Sequence, residues 1–369
     1  MNICIESQLL NHHQRGGLMT YTEGLINGMN RNDRQNQYKL VYYSLRLKAQ
    51  AMPGPANGNF QKFVLGVPDR EMTGRQWFID RISLPAFFKK NNINIFHRPS
   101  GYTMPKSDHV FKVLTVHDLR TLTIGDQYYK QNIEHYRKTL STVDMCVVVS
   151  ECTKRDLIEH MKMDEKKIRV TYLGADKKFA PAPKAQMEAV KQKYNLNEPF
   201  LLSVGSVPRK NISRILQSYA ASAYKDKYLL VLSCYLEVQK HWQTAKDLGV
   251  SQRIRILDNV GNEDLVPLYS ACQCFVFPSL YEGFGLPIVE AMQCGAPVIT
   301  SNMSSCPEIA GDAAIFVDPN NVQEITDAID QLCRNDNLRR ELIQKGFERV
   351  KLFSWDRLAQ EMKNIYAMA

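Results

Sequence analysis

Nowhere in the 369 residues is there an apolar run of membrane-spanning length, which excludes a transmembrane helix. The start, "MNICIESQLLNHHQRGG", lacks the basic segment and apolar core of a secretion leader, so a cytoplasmic chain is expected. Paired zinc spacings are missing too. The nine cysteines are scattered, and the one close pair, Cys272 and Cys274, reads as one face of a strand, so reduced thiols are expected. No G-x-G-x-x-G follows an early strand and no G-x-x-x-x-G-K-[ST] occurs, which disfavours a dehydrogenase or a P-loop NTPase. Runs of four basic residues are absent, "DEKKIR" at Asp164 is mixed in sign, and no aromatic ladder follows a basic stripe. Nucleic acid is therefore not an expected partner. There is no Asp-rich metal triplet, no low-complexity tract and no short internal repeat.

What is present is a globular composition, 44% hydrophobic and 23% charged, in a chain long enough for two domains. Its net charge of +9 is one-sided: residues 1–175 hold 25 Lys or Arg against 16 Asp or Glu, and residues 176–369 hold 22 of each. The basic half suits an anionic membrane surface or an acidic acceptor, and equally a plain solvated face.

Strand-like runs alternate with amphipathic stretches throughout. "NICI", "YKLVYYS", "FQKFVLG", "INIFH", "FKVLTVH", "MCVVVS" and "IRVTYLG" fill the first half. "FLLSVGS", "YLLVLSC", "IRILDNV", "CFVFPS", "PVITS" and "AAIFVD" fill the second. Helical patterns such as "GLMTYTEGLINGM" and "CTKRDLIEHM" lie between them, the latter capped by Ser150 or Thr153. This is the pattern of parallel sheets with crossover helices, occurring twice: an α/β chain of two Rossmann-like domains, 1–175 and 176–353. The segment 173–186 reads as the linker, and residues 354–369 as a closing helix capped by Ser354.

One stretch concentrates chemistry. In "PSLYEGFGLPIVEAMQCGAPVIT" a buried strand ends at Pro278, Glu282 precedes the Gly283-Phe284-Gly285 turn, and a helix opens near Leu286 with Glu290 in its first turn. Helix-opening N–H groups bind phosphate, whereas a carboxylate such as Glu290 suits a neutral diol such as ribose. Glu282 would face the other end of the same ligand. A second cluster, "VGSVPRKNISRIL", ends its strand at Gly205 and puts Arg209 and Lys210 at the next helix start, where two cations imply an anion. In "RGGLMTY", from Arg15, Gly17 reads either as part of a tight turn or as a place of close approach to phosphate. His97 and His117 both end strands, and a structural and a catalytic role stand evenly for them.

Together "VGSVPRKN", "LTVHDL", "VVVSECTKRDL", "IRVTYLGADKKFAP" and "YEGFGLPIVEAMQCGAPVITSNMSSCPEIAGDAAIFVDP" resemble the retaining GT-B glycosyltransferases of glycosyltransferase family 4, in the family's order and over nearly the whole chain. The resemblance implies two Rossmann-like domains facing across a cleft, with the last helix crossing back to the first domain. It implies that Glu290 binds the donor ribose and Glu282 the donor sugar. Backbone around Gly283, Phe284, Gly285 and Leu286 would contact sugar and diphosphate, beside Gly205. Arg209 and Lys210 would neutralise the departing diphosphate, Gly17 would approach it, and His117 would lie near the anomeric carbon. No metal and no cofactor beyond the nucleotide-sugar co-substrate is implied, because cations and helix starts stabilise the leaving group. Retention would run on the donor's front face; Asp118 or Glu282 as a nucleophile is the weaker reading. Val207 stands where many relatives are acidic, and "RGGLMTY" lacks a further small residue after its glycines.

The combination looks most like bacterial mannosyl- and hexosyltransferases of polysaccharide assembly, with GDP-mannose favoured over a UDP-hexose. The implied acceptor is a glycan or lipid-linked glycan, met by the basic N-terminal domain at the inner face of the cytoplasmic membrane. Competing readings are a nucleotide-sugar epimerase or phosphorylase of the same fold, and a non-catalytic module binding nucleotide sugar or glycan. No motif for a phosphorylase's cofactor-bearing lysine stands out, and the full set of charged residues argues against a module.

Overall fold

Strands that are apolar on both faces can only be buried between helix layers, and each of the thirteen runs becomes a strand of a parallel sheet. The computed structural model describes residues 1–11, 16–56, 58–67, 74–101, 103–119, 127–258 and 260–369. Arg15 and Asn259, which fall in stretches read above, lie outside them. The chain divides into two units, Met1–Gly174 with Ser354–Ala369, and Ala175–Phe353.

The first unit holds β1 (Asn2–Glu6), β2 (Gln37–Tyr43), β3 (Phe60–Leu65), β4 (Ile95–Arg98), β5 (Phe111–Val116), β6 (Met145–Val148) and β7 (Ile168–Val170), in the order β3-β2-β1-β4-β5-β6-β7. Crossovers diverge between β1 and β4, so a crevice opens at their carboxyl ends. A buried charge sits there. Arg98, 2% exposed, donates to Glu6 Oε2 at 2.8 Å and to Asp80 Oδ1 at 2.8 Å, tying the ends of β1 and β4 to the segment that carries Asp80. Ser150 caps the helix Glu151–Met161 by accepting from Thr153 N at 3.1 Å.

The last helix, Trp355–Tyr366, packs in this unit against the helix Gly17–Asn32. Its fit depends on absent side chains: a Cβ on Gly24 would enter the Trp355 ring, and one on Gly28 would lie 2.7 Å from the Trp355 carbonyl oxygen. At its far end the Tyr366 hydroxyl meets His97 Nδ1 at 2.6 Å, His97 Nε2 meets Thr115 Oγ1 at 2.8 Å, and Thr115 meets the Tyr21 hydroxyl at 2.9 Å.

The second unit holds β8 (Phe200–Val204), β9 (Leu229–Ser233), β10 (Ile254–Leu257), β11 (Phe275–Phe277), β12 (Val298–Ser301) and β13 (Ala314–Val317), ordered β10-β9-β8-β11-β12-β13. Here the crossovers diverge between β8 and β11. One expectation needs correction. Cys272 and Cys274 do not share a strand face, because the helix Asn262–Ala271 runs up to Cys272 and β11 starts only at Phe275; all nine cysteines are buried thiols. The passage from one unit to the other, at Gly174 to Ala175, falls inside the segment 173–186 read as the linker, which is partly packed. Leu173, Ala175 and Phe179 are buried, the Phe179 ring lies 6.3 Å from that of Tyr269, and a helix begins at Lys184.

Filling the glycine notch tests the helix dock. Gly24→Leu should cost about 1–3 kcal/mol by overpacking and lower the melting temperature, whereas Gly66→Ala, whose Cβ would meet only Leu45 Cδ2 at 3.8 Å among the described residues, should not.

Candidate functional site

The crevice between β8 and β11 is framed by the loops that follow them, 205–211 and 278–285. Gly205 starts the first loop at φ +129, where a Cβ would come within 2.6 Å of Lys210 Cγ. Glycine is therefore what lets the Lys210 stem lie across the strand end. Pro208–Lys210 forms one 3-10 turn, Asn211 turns left-handed at φ 65, and only then does the helix Ile212–Ala221 begin. The basic pair thus precedes the helix rather than opening it. Asn211 fastens the loops, its side-chain amide donating to the carbonyls of Pro278 at 3.0 Å and Pro319 at 2.6 Å. Leu280 N also donates to the Arg209 carbonyl at 2.8 Å.

Between these loops lies Glu282, 5% exposed. Its Oε1 accepts from Ser279 Oγ at 2.6 Å and from Lys210 Nζ at 2.7 Å, and Arg209 Nη1 stands 2.5 Å away. Burial alone would raise the Glu282 carboxyl, but the Lys210 and Arg209 charges and the Lys210 and Ser279 bonds overcome it and hold it below the ordinary carboxylate range. Burial pushes the Lys210 ammonium down, Glu282 opposing and Arg209 adding to it. Lys210 Nζ also lies 4.3 Å from the centre of the Phe277 ring. Two cations share one carboxylate, so the cluster carries one uncompensated positive charge. Arg209 Nε is buried with no hydrogen-bond partner among the described residues. The sequence set Glu282 and the cations at different parts of a ligand; the structure makes Glu282 their counter-charge.

Two serines lock the turn. Glu282 N donates to Ser304 Oγ at 2.8 Å, and Ser305 Oγ donates to the carbonyls of Glu282 and Phe284, both at 2.9 Å. The Phe284 ring turns inward, 4% exposed, edge-on to Phe353 at 5.5 Å. Gly285 at φ +99 then starts the helix Leu286–Gln293, which no side chain caps and whose second residue is Pro287. The Leu286 N–H therefore has no intrahelical acceptor and is available to an anion.

Because the helix starts at Leu286, Glu290 is its fifth residue and lies in the second turn, not the first. Burial lifts its carboxyl to about 7, against Lys178, Lys210 and Tyr269, with Asp176 adding to the rise. The Tyr269 hydroxyl is fully buried beside Glu290, and burial together with that carboxyl raises the phenol well above its ordinary range.

Gly17 and His117 lie in the first unit. Gly16 precedes the helix in extended backbone, φ −157, and a Cβ on Gly16 or Gly17 would meet nothing within 4 Å among the described residues. Among the described residues no packing contact requires these glycines, which leaves open room at the helix start. Tyr21, one turn on, packs edge-to-face with His117, the ring centres 4.7 Å apart. His117 Nε2 lies 2.8 Å from the Pro99 carbonyl, which only accepts, so Nε2 carries the proton and Nδ1 is left as an acceptor. Burial holds His117 below its usual range, the Pro99 bond and Asp118 opposing. The even reading of His97 resolves toward structure. It is fully buried with both ring nitrogens engaged, and burial, with His117 nearby, drives it down to about 3.

The structure thus gathers Gly205, Arg209, Lys210, Glu282, Gly283 to Leu286 and Glu290 at one edge of the second sheet, and Gly17 with His117 at the matching edge of the first. Asn211, Ser279, Tyr269, Ser304 and Ser305 were not singled out from the sequence. Only the serine cluster in "SNMSSCP", directly after a strand, offered a signal.

Two outcomes follow. Glu282→Ala should destabilise by about 3–5 kcal/mol, as loss of one partner strands buried charge, read by chemical denaturation. For Glu290 the folded carboxyl binds its proton more tightly than the unfolded one, so stability falls as pH rises from the ordinary carboxylate range to about 7. Glu290→Gln should raise the melting temperature above that pH and give no gain in acid. Where the ionised form accepts a diol, ligand affinity of the native protein should rise through the same pH.

Two family models match the chain: "Glycosyltransferase Family 4" over residues 15–179 and "Glycosyl transferases group 1" over residues 186–349. The O-antigen chain mannosyltransferase B of Escherichia coli is 34% identical over 284 residues, 74% of this chain and 74% of that protein. Among solved structures, sucrose-phosphate synthase of Thermosynechococcus elongatus superposes with a TM-score of 0.79 at 20% identity, over 100% of this chain and 98% of that one. HepE of Anabaena, in complex with UDP and glucose, superposes at 0.75 with 15% identity over 100% of both chains. The chain belongs to the group 1, family 4 glycosyltransferases and has their GT-B fold.

Proposed function

We propose that the protein transfers a hexose, mannose from GDP-mannose before a UDP-hexose, to a glycan or lipid-linked glycan in bacterial polysaccharide assembly, with retention and without a metal ion. The observation that carries this reading is the Arg209–Lys210–Glu282 cluster beside the uncapped start of the Leu286 helix. A pocket with one surplus positive charge and a free helix N–H suits a diphosphate, whose charge grows as its bond to the sugar breaks. Mannose is favoured because the 34% identical relative is an O-antigen chain mannosyltransferase.

In this mechanism the bond between the anomeric carbon and the diphosphate oxygen breaks toward an oxocarbenium-like state. Arg209 and Lys210 take up the developing charge, and Glu282 holds both cations in place. The acceptor hydroxyl attacks on the face the diphosphate leaves, and its proton passes to the leaving phosphate oxygen. Glu290, once ionised, accepts the two ribose hydroxyls. Gly17 leaves room for phosphate. Neutral His117 offers Nδ1 to a sugar hydroxyl near the anomeric carbon. The basic half of the chain is assigned to the acceptor side and to attraction by anionic membrane.

Incubation with GDP-mannose and a mannose-terminated oligosaccharide in chelator, followed by proton NMR, tests this. An axial α-linked product is expected, with turnover of Arg209→Ala lower by about 100- to 1000-fold and His117→Ala losing rate more than donor affinity. An inverted product, or transfer abolished by chelator, would contradict the mechanism. Conversion of the donor without acceptor would favour an epimerase.

A further inference from the structure

One buried hydroxyl holds the Gly283-Phe284-Gly285 turn from behind. β12 ends beside β11, and the chain then passes through Ser304 at φ 53, a left-handed conformation that serine seldom adopts, to reach Ser305 at the start of the helix Cys306–Ala310. Ser305 is fully buried, and its own carbonyl accepts from Ile309 N at 2.9 Å, so its place is fixed by the helix it opens. Its Oγ reaches the carbonyls of Glu282 and Phe284. Ser304 Oγ also donates to the Glu282 carbonyl, at 3.0 Å, which leaves the Ser305 proton for Phe284. A trans peptide points its C=O and its N–H in opposite directions. With the Phe284 carbonyl drawn to Ser305, the Gly285 N–H therefore points away from Ser305, and it has no partner among the described residues. Gly285 is left-handed and Leu286 is the first residue of its helix, so their two N–H groups open one concave nest of the kind that takes an anion. Glycine tolerates φ of either sign, so nothing in Gly285 itself fixes which way this peptide faces.

We propose that Ser305 is a positioning residue for the transfer reaction: by capturing the Phe284 carbonyl it holds the Gly285 N–H toward the donor diphosphate. The inference rests on the donor-diphosphate reading of this crevice. Ser305 touches no substrate and acts only through the peptide it orients. A half-turn of that peptide would put the Phe284 carbonyl oxygen where the N–H now stands, setting a negative dipole end against phosphate. Ser305 opposes the half-turn, because a buried carbonyl that loses its donor pays the cost of desolvation. The charge on the leaving diphosphate is greatest in the transition state, so a misdirected peptide slows turnover more than it weakens donor binding. Arg209 and Lys210 do not depend on Ser305 for their place, since Glu282, Ser279 and Gly205 hold them.

Phe-Gly occurs once in the sequence, at Phe284-Gly285, which makes this peptide visible by itself. Protein labelled at the phenylalanine carbonyl carbon and the glycine nitrogen gives a single carbonyl-correlated amide signal in NMR. In wild type GDP should move the Gly285 amide proton downfield, as a new bond to phosphate requires, and guanosine should not. In Ser305→Ala the Phe284 carbonyl carbon should move upfield before any ligand is added, and GDP should no longer shift the Gly285 amide. Turnover of Ser305→Ala should fall about tenfold or more, with the donor KM within about twofold, and Ser305→Thr, which keeps the hydroxyl, should restore most of it. A merely structural serine would lower the melting temperature and leave the GDP-induced shift in place. That outcome, or a wild-type Gly285 amide that stays still while calorimetry shows GDP bound, would overturn the proposal. The wild-type titration needs no variant, so it decides even if Ser305→Ala fails to fold. Should wild type bind no GDP, the donor reading fails by itself; inorganic pyrophosphate then replaces GDP, and a still Gly285 amide overturns this proposal as well.

Discussion

A single buried carboxylate, Glu282, allows two cations to be held at the closed end of a crevice. Lys210 reaches it only because Gly205 lacks a side chain, and Ser279 completes its oxygen's hydrogen bonds. With fewer cations the pocket would be neutral and indifferent to phosphate; with no carboxylate the two cations would repel and be driven out of the interior. One carboxylate against two cations leaves the pocket assembled before ligand arrives, yet still electrostatically short of one negative charge. Stability and the proposed binding of phosphate therefore rest on the same group.

The parallel sheet supplies the place. In each unit the crossovers separate on either side of one strand pair, β1 with β4 and β8 with β11, and the loops at those carboxyl ends carry the charged residues. The first unit uses its crevice differently. Arg98 is saturated by Glu6, Asp80 and Thr103, and His97 is consumed by Tyr366 and Thr115, so both act as rivets. Among the described residues, what stays available there is the Nδ1 of His117 and the open start of the Gly17 helix.

The central strands were legible in the sequence because burial on both faces forces continuous apolar runs, and edge strands such as β3, where Gln61 is exposed, because polar breaks bound them on either side. The glycine turn and the basic pair were legible for a similar reason, since each is local. Partnerships were not. Lys210 and Glu282 are 72 residues apart, and nothing in either segment says that they touch. The buried charge of Arg98 is invisible to an apolar pattern, as its partners Glu6 and Asp80 lie 92 and 18 residues away. One helix start was misplaced where a single residue goes left-handed: Asn211 delays its helix, which moved the basic pair out of it, whereas the Leu286 helix starts where it was read and only Glu290 was counted a turn too early. His97 and His117 have the same local setting, and only the last helix, arriving from the other end of the chain, separates their roles.

The most direct test compares GDP with guanosine by titration calorimetry, on the wild type and on Arg209→Met. The cluster predicts that GDP binds far more tightly than guanosine, and that this phosphate-dependent advantage collapses in the variant while guanosine binding is kept. Equal affinity for the two ligands, or an advantage that survives the loss of Arg209, would contradict the assignment of this crevice to the donor diphosphate.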